Sequence, residues 1–262
     1  MPKWGISRST YSFDRQKNVI AKGLSSVKFM SDQLAEELYT LSQNHSYEHF
    51  VDLLYDLDRE TCCNSRQLEI LIRLDFFSEF GNSNELLRIN SIFADKFKKG
   101  NAKQIARSAV DGTPFEEIVS KYAVGVTKSG GIAKSYTMFD VHAILVEIEK
   151  MILDAHLPDI DDAAKVRNFI DVMGYAGYFS GKEEDRRKLY VTEVWPLVGK
   201  KDGKIWAHGI ATASIGSGKA GRFTVREGLF KKDPIQAGDI IFCAEYKKDG
   251  QYFNLTSYRK IA

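Results

Sequence analysis

The sequence predicts an α+β chain, a helical body followed by a small five-stranded barrel. Three observations carry this. In residues 23–100 apolar side chains recur at three- and four-residue spacing. In residues 188–262 they alternate at every second position between turns such as KKDG. The charge changes at the same place: residues 188–262 hold 13 Lys and Arg against 7 Asp and Glu, whereas residues 1–187 hold 24 against 28. A basic domain on a mildly acidic body predicts that a polyanion meets the C-terminal part first.

A chain of 262 residues, 44% hydrophobic and 27% charged, has room for two or three small domains with real cores. Its longest apolar runs fall short of the ~20 residues of a membrane helix. The opening MPKWGISRSTYSFDRQKN lacks the apolar stretch of a signal peptide. Cys62, Cys63 and Cys243 have no metal-ligand spacing and cannot all pair. A cytoplasmic protein with reduced thiols is expected.

Four zones follow in order. Residues 1–22 carry Pro2, Gly5 and several Ser and Thr, and predict an extended arm with a short hairpin around Asp14 to Asn18. Residues 23–100 predict short amphipathic helices. SDQLAEELYTLSQ has Ser31 or Asp32 as its cap and Leu34, Leu38 and Leu41 on one face. SYEHFVDLLYDL follows, with Ser46 as cap, Glu48 and His49 in the first turn, and Phe50, Val51, Leu54 and Leu57 inward. NSRQLEILIRL starts at Asn64 or Ser65, and NSNELLRINSIFADKF restarts after Gly81. Short helices joined by tight turns are the build of helix-hairpin-helix units, so this zone is read as a helix-hairpin-helix-like domain.

Residues 101–187 read as a helical linker region. GTPFEEIVSKYA predicts a helix with Pro114 at its first position, where no N–H is needed. VGVTKSGGIAKSY reads as a flexible glycine-rich connection, since no Gly-Lys-Ser/Thr follows. MFDVHAILVEIEKMILDAHL predicts a strong amphipathic helix, with His142 and His156 too far apart to share a ligand. Asp159, Asp161 and Asp162 sit where a helix begins, where carboxylates serve as caps.

Residues 188–262 predict five strands: KLYVTEVWPL, GKIWAHGIATAS, GRFTVRE, AGDIIFCAEYKK and QYFNLTSYRKI. A hairpin, a third strand, a connector and a second hairpin fit a five-stranded OB β-barrel; a β-sandwich fragment is the alternative. OB barrels meet single strands on the second and third strands and their loops. Here that loop is SIGSGKAGR, whose Gly216, Gly218 and Lys219 suit a phosphate backbone. Arg222 and Arg226 alternate with Phe223 and Val225 and should point outward. Trp206, His208 and Tyr252 are candidate base-stacking groups on the same face. Ala213 and Ala220 replace essential P-loop residues, which excludes nucleotide hydrolysis through that motif. No carboxylate cluster offers two Mg²⁺ sites.

The run NSRQLEILIRLDFFSEFGNSNELLRI at residues 64–89 resembles a segment in the alpha subunits of bacterial replicative DNA polymerases, the C family or DNA polymerase III alpha. Gly23, Leu24, Val27 and Lys28 match the frame of that family's hairpin, but Phe29, Met30 and Ser31 stand where it has its glycines. SIGSG at 214–218 and the entry from residue 186 into the barrel are similar too. The resemblance implies a DNA-handling C-terminal region of a polymerase, opening in the middle of the family's domain order. Its implied partners are single-stranded template, primer–template duplex, the remainder of the polymerase and other replisome subunits, with Lys28 near the DNA. Mg²⁺ belongs to the family's palm, so no cofactor is expected, and the chain alone should bind DNA without polymerising it. A stand-alone single-strand-binding or adaptor protein of a phage or replisome is the alternative, and an RNA-binding OB protein a third reading.

Overall fold

The computed structural model describes residues 1–15, 18–250 and 252–261, without the side chains of Val19 and Tyr252. The chain forms two compact units, Met1–Ile160 and Asp161–Ala262.

The first unit opens with a two-stranded hairpin, β1 (Ser12–Asp14) and β2 (Val19–Ala21), in the predicted arm. Four helices follow: α1 (Asp32–Asn44), α2 (Phe50–Glu60), α3 (Ser65–Arg73) and α4 (Ser83–Ser91). Their starts are written locally. Ser31 accepts from the Leu34 N–H, while Asn64 with Gln67 and Asn82 with Glu85 form reciprocal capping boxes. Leu34, Leu38, Phe50, Leu54, Leu57, Leu71, Ile72, Phe77 and Leu86 are buried as the helical spacing requires. Trp4 anchors the arm by packing its ring on Phe76 and Phe77.

The start of α2 departs from the sequence reading. Ser46 is not the cap, and Glu48 and His49 precede the helix. Glu149 caps it from afar: the Phe50 and Val51 N–H groups donate to its carboxylate at 2.9 and 2.7 Å. Glu149 lies on α6 (Val141–Asp154), so the cap is a tertiary contact that local sequence cannot reveal.

The glycine-rich stretch also departs. It is a β-hairpin and not a flexible connection. Strands β3 (Gln104–Ala106), β4 (Ala123–Val126) and β5 (Ile132–Met138) form an antiparallel sheet in the order β3-β5-β4, with α5 (Glu116–Lys121) before β4. Arg107 clamps it, donating to the carbonyls of Ala133 at 2.9 Å and Gly125 at 2.8 Å, with its guanidinium over the Tyr136 ring. Pro114 stands two residues before α5 and not at its first position.

The second unit is a closed barrel preceded by a helix. After α7 (Asp162–Met173), capped by Asp161, come β6 (Lys188–Val198), β7 (Ile205–Ser214), β8 (Ala220–Arg226), the single turn α8 (Glu227–Phe230), β9 (Ile240–Asp249) and β10 (Tyr252–Lys260). The barrel runs β10-β8-β7-β6-β9; β8 and β10 are parallel, and the other neighbours antiparallel. This is the closed order of an OB fold, and closure removes the sandwich alternative. The compact unit begins at Asp161, earlier than the change of pattern at residue 188. The reason is packing: Ala163 and Val166 of α7 are buried with Ile215 and Ile240 of the barrel.

Candidate nucleic-acid interface

Two faces of β7 do different things. Ile210 is fully buried in the barrel core with Val191, Val225, Ile241 and Leu255. Its strand neighbours Gly209 and Ala211 therefore face outward. Cross-strand register extends this outer face. Trp195 pairs with Gly209, Gly209 with Thr224, Thr224 with Asn254, and Asn254 with Lys247. A second row runs from Glu193 through Ala211 to Arg222, and a third from Leu197 through Ala207 to Arg226.

The outward parity of β7 is thus carried by small residues, Ala207, Gly209, Ala211 and Ala213, of which Ala211 is half-buried and the other three are buried. A Cβ at Gly209 would overlap the indole ring of Trp195, so glycine lets that ring cross the strand. Trp195 is half-buried, and the guanidinium of Arg222 stands 5.9 Å from its ring centre. Arg222, Arg226 and Lys247 line the rim of this face, and all three are exposed. An aromatic plate with exposed cations beside it offers base stacking and phosphate contact together.

Arg222 and Arg226 lie on this face, as alternation requires. His208 does not. It shares the inward side of β7, stacks on Phe230 with ring centres 3.6 Å apart, and sets Nδ1 3.2 Å from Glu227 Oε2. Both of those atoms are buried and neither meets a hydrogen-bond partner among the described residues. With one ring face taken by Phe230, His208 is no outward base-stacking group. Trp206 has the parity of His208, lies beyond the last β7–β8 pair and is 54% exposed at the barrel's end. The side chain of Tyr252 lies outside the described residues.

The SIGSGKAGR loop is anchored and not free. Gly216 is buried, its N–H donates to the Asp185 carbonyl at 3.0 Å, and a Cβ there would overlap the backbone of residues 182–186. Gly218 takes a φ of +67°, and its N–H closes the turn onto the Ser214 carbonyl at 2.7 Å. These glycines serve close backbone packing. Lys219 remains exposed beside them.

Asp185 holds the segment under the loop. Its carboxylate accepts from Ser180 Oγ at 2.7 Å and faces Lys188 Nζ at 2.7 Å. The hydrogen bond to Lys188 keeps the Asp185 carboxyl below its ordinary range.

In the first unit the turns before α1 and between α3 and α4 use non-glycine residues in left-handed conformation. Phe29 adopts φ +70° and Asp75 φ +57°, both left-handed. Arg66 lies over the Phe29 ring at 3.7 Å and Gln67 Nε2 donates to the Phe29 carbonyl at 2.8 Å. Asp75 accepts from Ser83 Oγ at 2.8 Å. The start of α1 is occupied by its own chain: Ser31 caps it, and Asp32 places a carboxylate in the first turn. Those groups oppose a phosphate there, although Lys28 is exposed nearby.

His45, Asp56 and Glu60 bring ligand atoms within 4.8 Å of one another beside α2. Tyr47 donates to Asp56 at 2.9 Å. The group lies on helical surface and has nothing of the strand-borne aspartates that polymerase chemistry uses.

Among the described residues no helix is long and apolar enough to cross a membrane. A family model described as a helix-hairpin-helix motif matches residues 3–87. No curated protein matches the chain. The motif and the OB barrel together point to nucleic-acid binding.

Proposed function

We propose that this chain grips single-stranded DNA as a non-catalytic, template-handling region of a C-family replicative polymerase. The observation that carries the binding reading is the plate formed by Trp195 over Gly209, with Arg222 and Arg226 on the outer face of an OB barrel. Bases stack on the indole, and the arginines meet phosphates. None of these contacts reads base edges, so binding is sequence-tolerant.

The replicative assignment is supported by the order of parts, a helix-hairpin-helix motif followed by an OB barrel. It is supported also by the 64–89 segment, where Asp75 holds a left-handed turn between two boxed helices. Replisome subunits are the proposed protein partners.

The test is single-strand binding across a salt series. Replacing Lys219, Arg222 and Arg226 together by Ala should weaken binding and flatten the salt slope by about 0.7 for each phosphate left without its cation. Unchanged affinity and slope in a folded triple variant would remove the barrel face from the interface. Primer extension by the purified chain with Mg²⁺ and nucleotides should yield no product, and extension would overturn the non-catalytic reading.

A further inference from the structure

Among the described residues, the β1–β2 hairpin presents an apolar face that stays exposed. Phe13 and Ile20 are cross-strand partners, and Tyr11 stands just before β1. They are 55%, 69% and 68% exposed, whereas Ala21, paired on the opposite side with Ser12, is fully buried. One face of the hairpin therefore seats on the body and the other meets solvent. Three large apolar side chains clustered in this way mark an interaction surface more often than idle surface.

The hairpin is held at its base. Leu24 and Ser25 donate their N–H groups to the carbonyls of Arg8 and Ser9 at 2.8 and 3.2 Å. Gly23 permits this approach, because a Cβ there would overlap the backbone of Ser9 and Thr10. Glu36 of α1 ties the same point down, accepting from the Arg8 guanidinium at 2.7 Å and from Ser9 Oγ at 2.9 Å. A fixed stem removes part of the ordering cost of binding.

Charge identifies the occupant. Residues 1–28 carry Lys3, Arg8, Arg15, Lys17, Lys22 and Lys28 against Asp14 alone. Arg8 is committed to Glu36, while Lys3 and Arg15 are exposed. Aromatic rings interleaved with cations suit a polyanion with free π-faces, which is a single strand and not a duplex with stacked bases.

We propose that the β1–β2 hairpin is a second single-strand-binding element, stacking bases on Tyr11 and Phe13 with Arg15 on the phosphates. The assignment rests on the nucleic-acid reading above but uses none of the barrel residues. The probe is an oligodeoxythymidine carrying 5-iodouracil, photo-crosslinked to the full chain, with the adducts mapped by mass spectrometry. Adducts on Tyr11 or Phe13 are expected. A Tyr11→Ser/Phe13→Ser variant should bind about ten-fold or more weakly, by the usual contribution of base–aromatic stacking. The loss should persist when Arg222 and Arg226 are both replaced by Ala. Its fold should survive, because both rings are more than half exposed. Adducts confined to barrel peptides, with wild-type affinity in the double variant, would overturn the hairpin site and leave the barrel reading standing. No binding by the unaltered chain would overturn both. Self-association abolished by the double variant, with DNA affinity unchanged, would reassign the face to a second copy of the chain.

Discussion

The indole of Trp195 occupies the space that a side chain at Gly209 would need, and the two residues are cross-strand partners on β6 and β7. Gly209→Ala should therefore lift the ring from the strand. Overpacking of this kind costs about 1–3 kcal/mol. The variant should melt lower, shift the Trp195 indole N–H resonance and bind single strands more weakly. Trp195→Ala should keep the barrel and lose about 1–3 kcal/mol of binding, the usual contribution of one stacked base. Wild-type binding by both variants would show that the plate is packing alone.

Glu149 joins two elements through a buried carboxylate. Burial pushes its pKa above the ordinary carboxylate value, outweighing the two N–H groups and His49 that pull it down. The folded state then holds this proton more tightly than the unfolded state. Stability from this group is full below about 4.5, its ordinary pKa, and falls as pH rises through the folded value. Glu149→Gln should remove that pH dependence. Glu149→Ala should orphan the Phe50 and Val51 N–H groups and cost about 1–3 kcal/mol. Hydrogen exchange at the α2 amides, followed from pH 4 to 8, checks both. Equal pH slopes for wild type and Glu149→Gln would refute the assignment.

Phe29 holds a left-handed backbone in a turn where glycine would be unstrained. Phe29→Gly should relieve about 1 kcal/mol of strain while giving up the Arg66 stacking, which is worth about as much at an exposed site. Its net effect on the first unit should lie within about 1 kcal/mol of zero. Phe29→Val keeps the strain, adds a β-branch and gives up the same stacking, so it should destabilise by at least about 1 kcal/mol. Thermal melts of the two variants give the comparison, and a Val variant as stable as the Gly variant would discount the turn strain.

The helices are legible in the sequence because their caps are local. Ser31, Asn64, Asn82 and Asp161 each bond to an N–H within three residues, and the apolar spacing names the buried leucines. The α2 cap is hidden because Glu149 is 98 residues from Val51. On the barrel, alternation places Arg222 and Arg226 outward correctly, since β8 is regular. It fails on β6. Leu189 and Val191 point inward, and strict alternation carries Trp195 inward with them. A register shift between Val191 and Glu193 reverses the parity, burying Val194 against the core and turning Trp195 out. On β7 the difficulty is of another kind. Aromatic character alone suggests Trp206 and His208 as stacking groups, whereas the parity of Ile210 already assigns His208 inward; Trp206 shares that parity but lies past the last β7–β8 pair and stays exposed. The hairpin at residues 123–138 reads as flexible because its glycines stand out in the sequence, while its clamp, Arg107, lies well upstream.

The second unit should fold from Asp161 and not from Lys188. Limited proteolysis of the whole chain is expected to cut near Ile160, where the compact units divide. A fragment of residues 161–262 keeps α7, whose Ala163 and Val166 cover Ile215 and Ile240. It keeps Lys188 between Asp185 at 2.7 Å and Asp162 at 3.3 Å. A fragment of residues 188–262 loses that cover and strips the Ser214 hydroxyl and the Gly216 N–H of their partners on Arg186 and Asp185. Exposing a buried aliphatic side chain costs about 1.5–3 kcal/mol, and each orphaned polar group adds to it unless water reaches it. The shorter fragment should melt well below the longer one or aggregate. The longer fragment should also weaken in acid as the pH falls below about 3.8, the ordinary pKa of the Asp185 carboxyl that Lys188 holds ionised. Melting curves of the two fragments at neutral pH decide the matter: equal midpoints would mean that the barrel stands without α7 and that the division at residue 188 is the physical one.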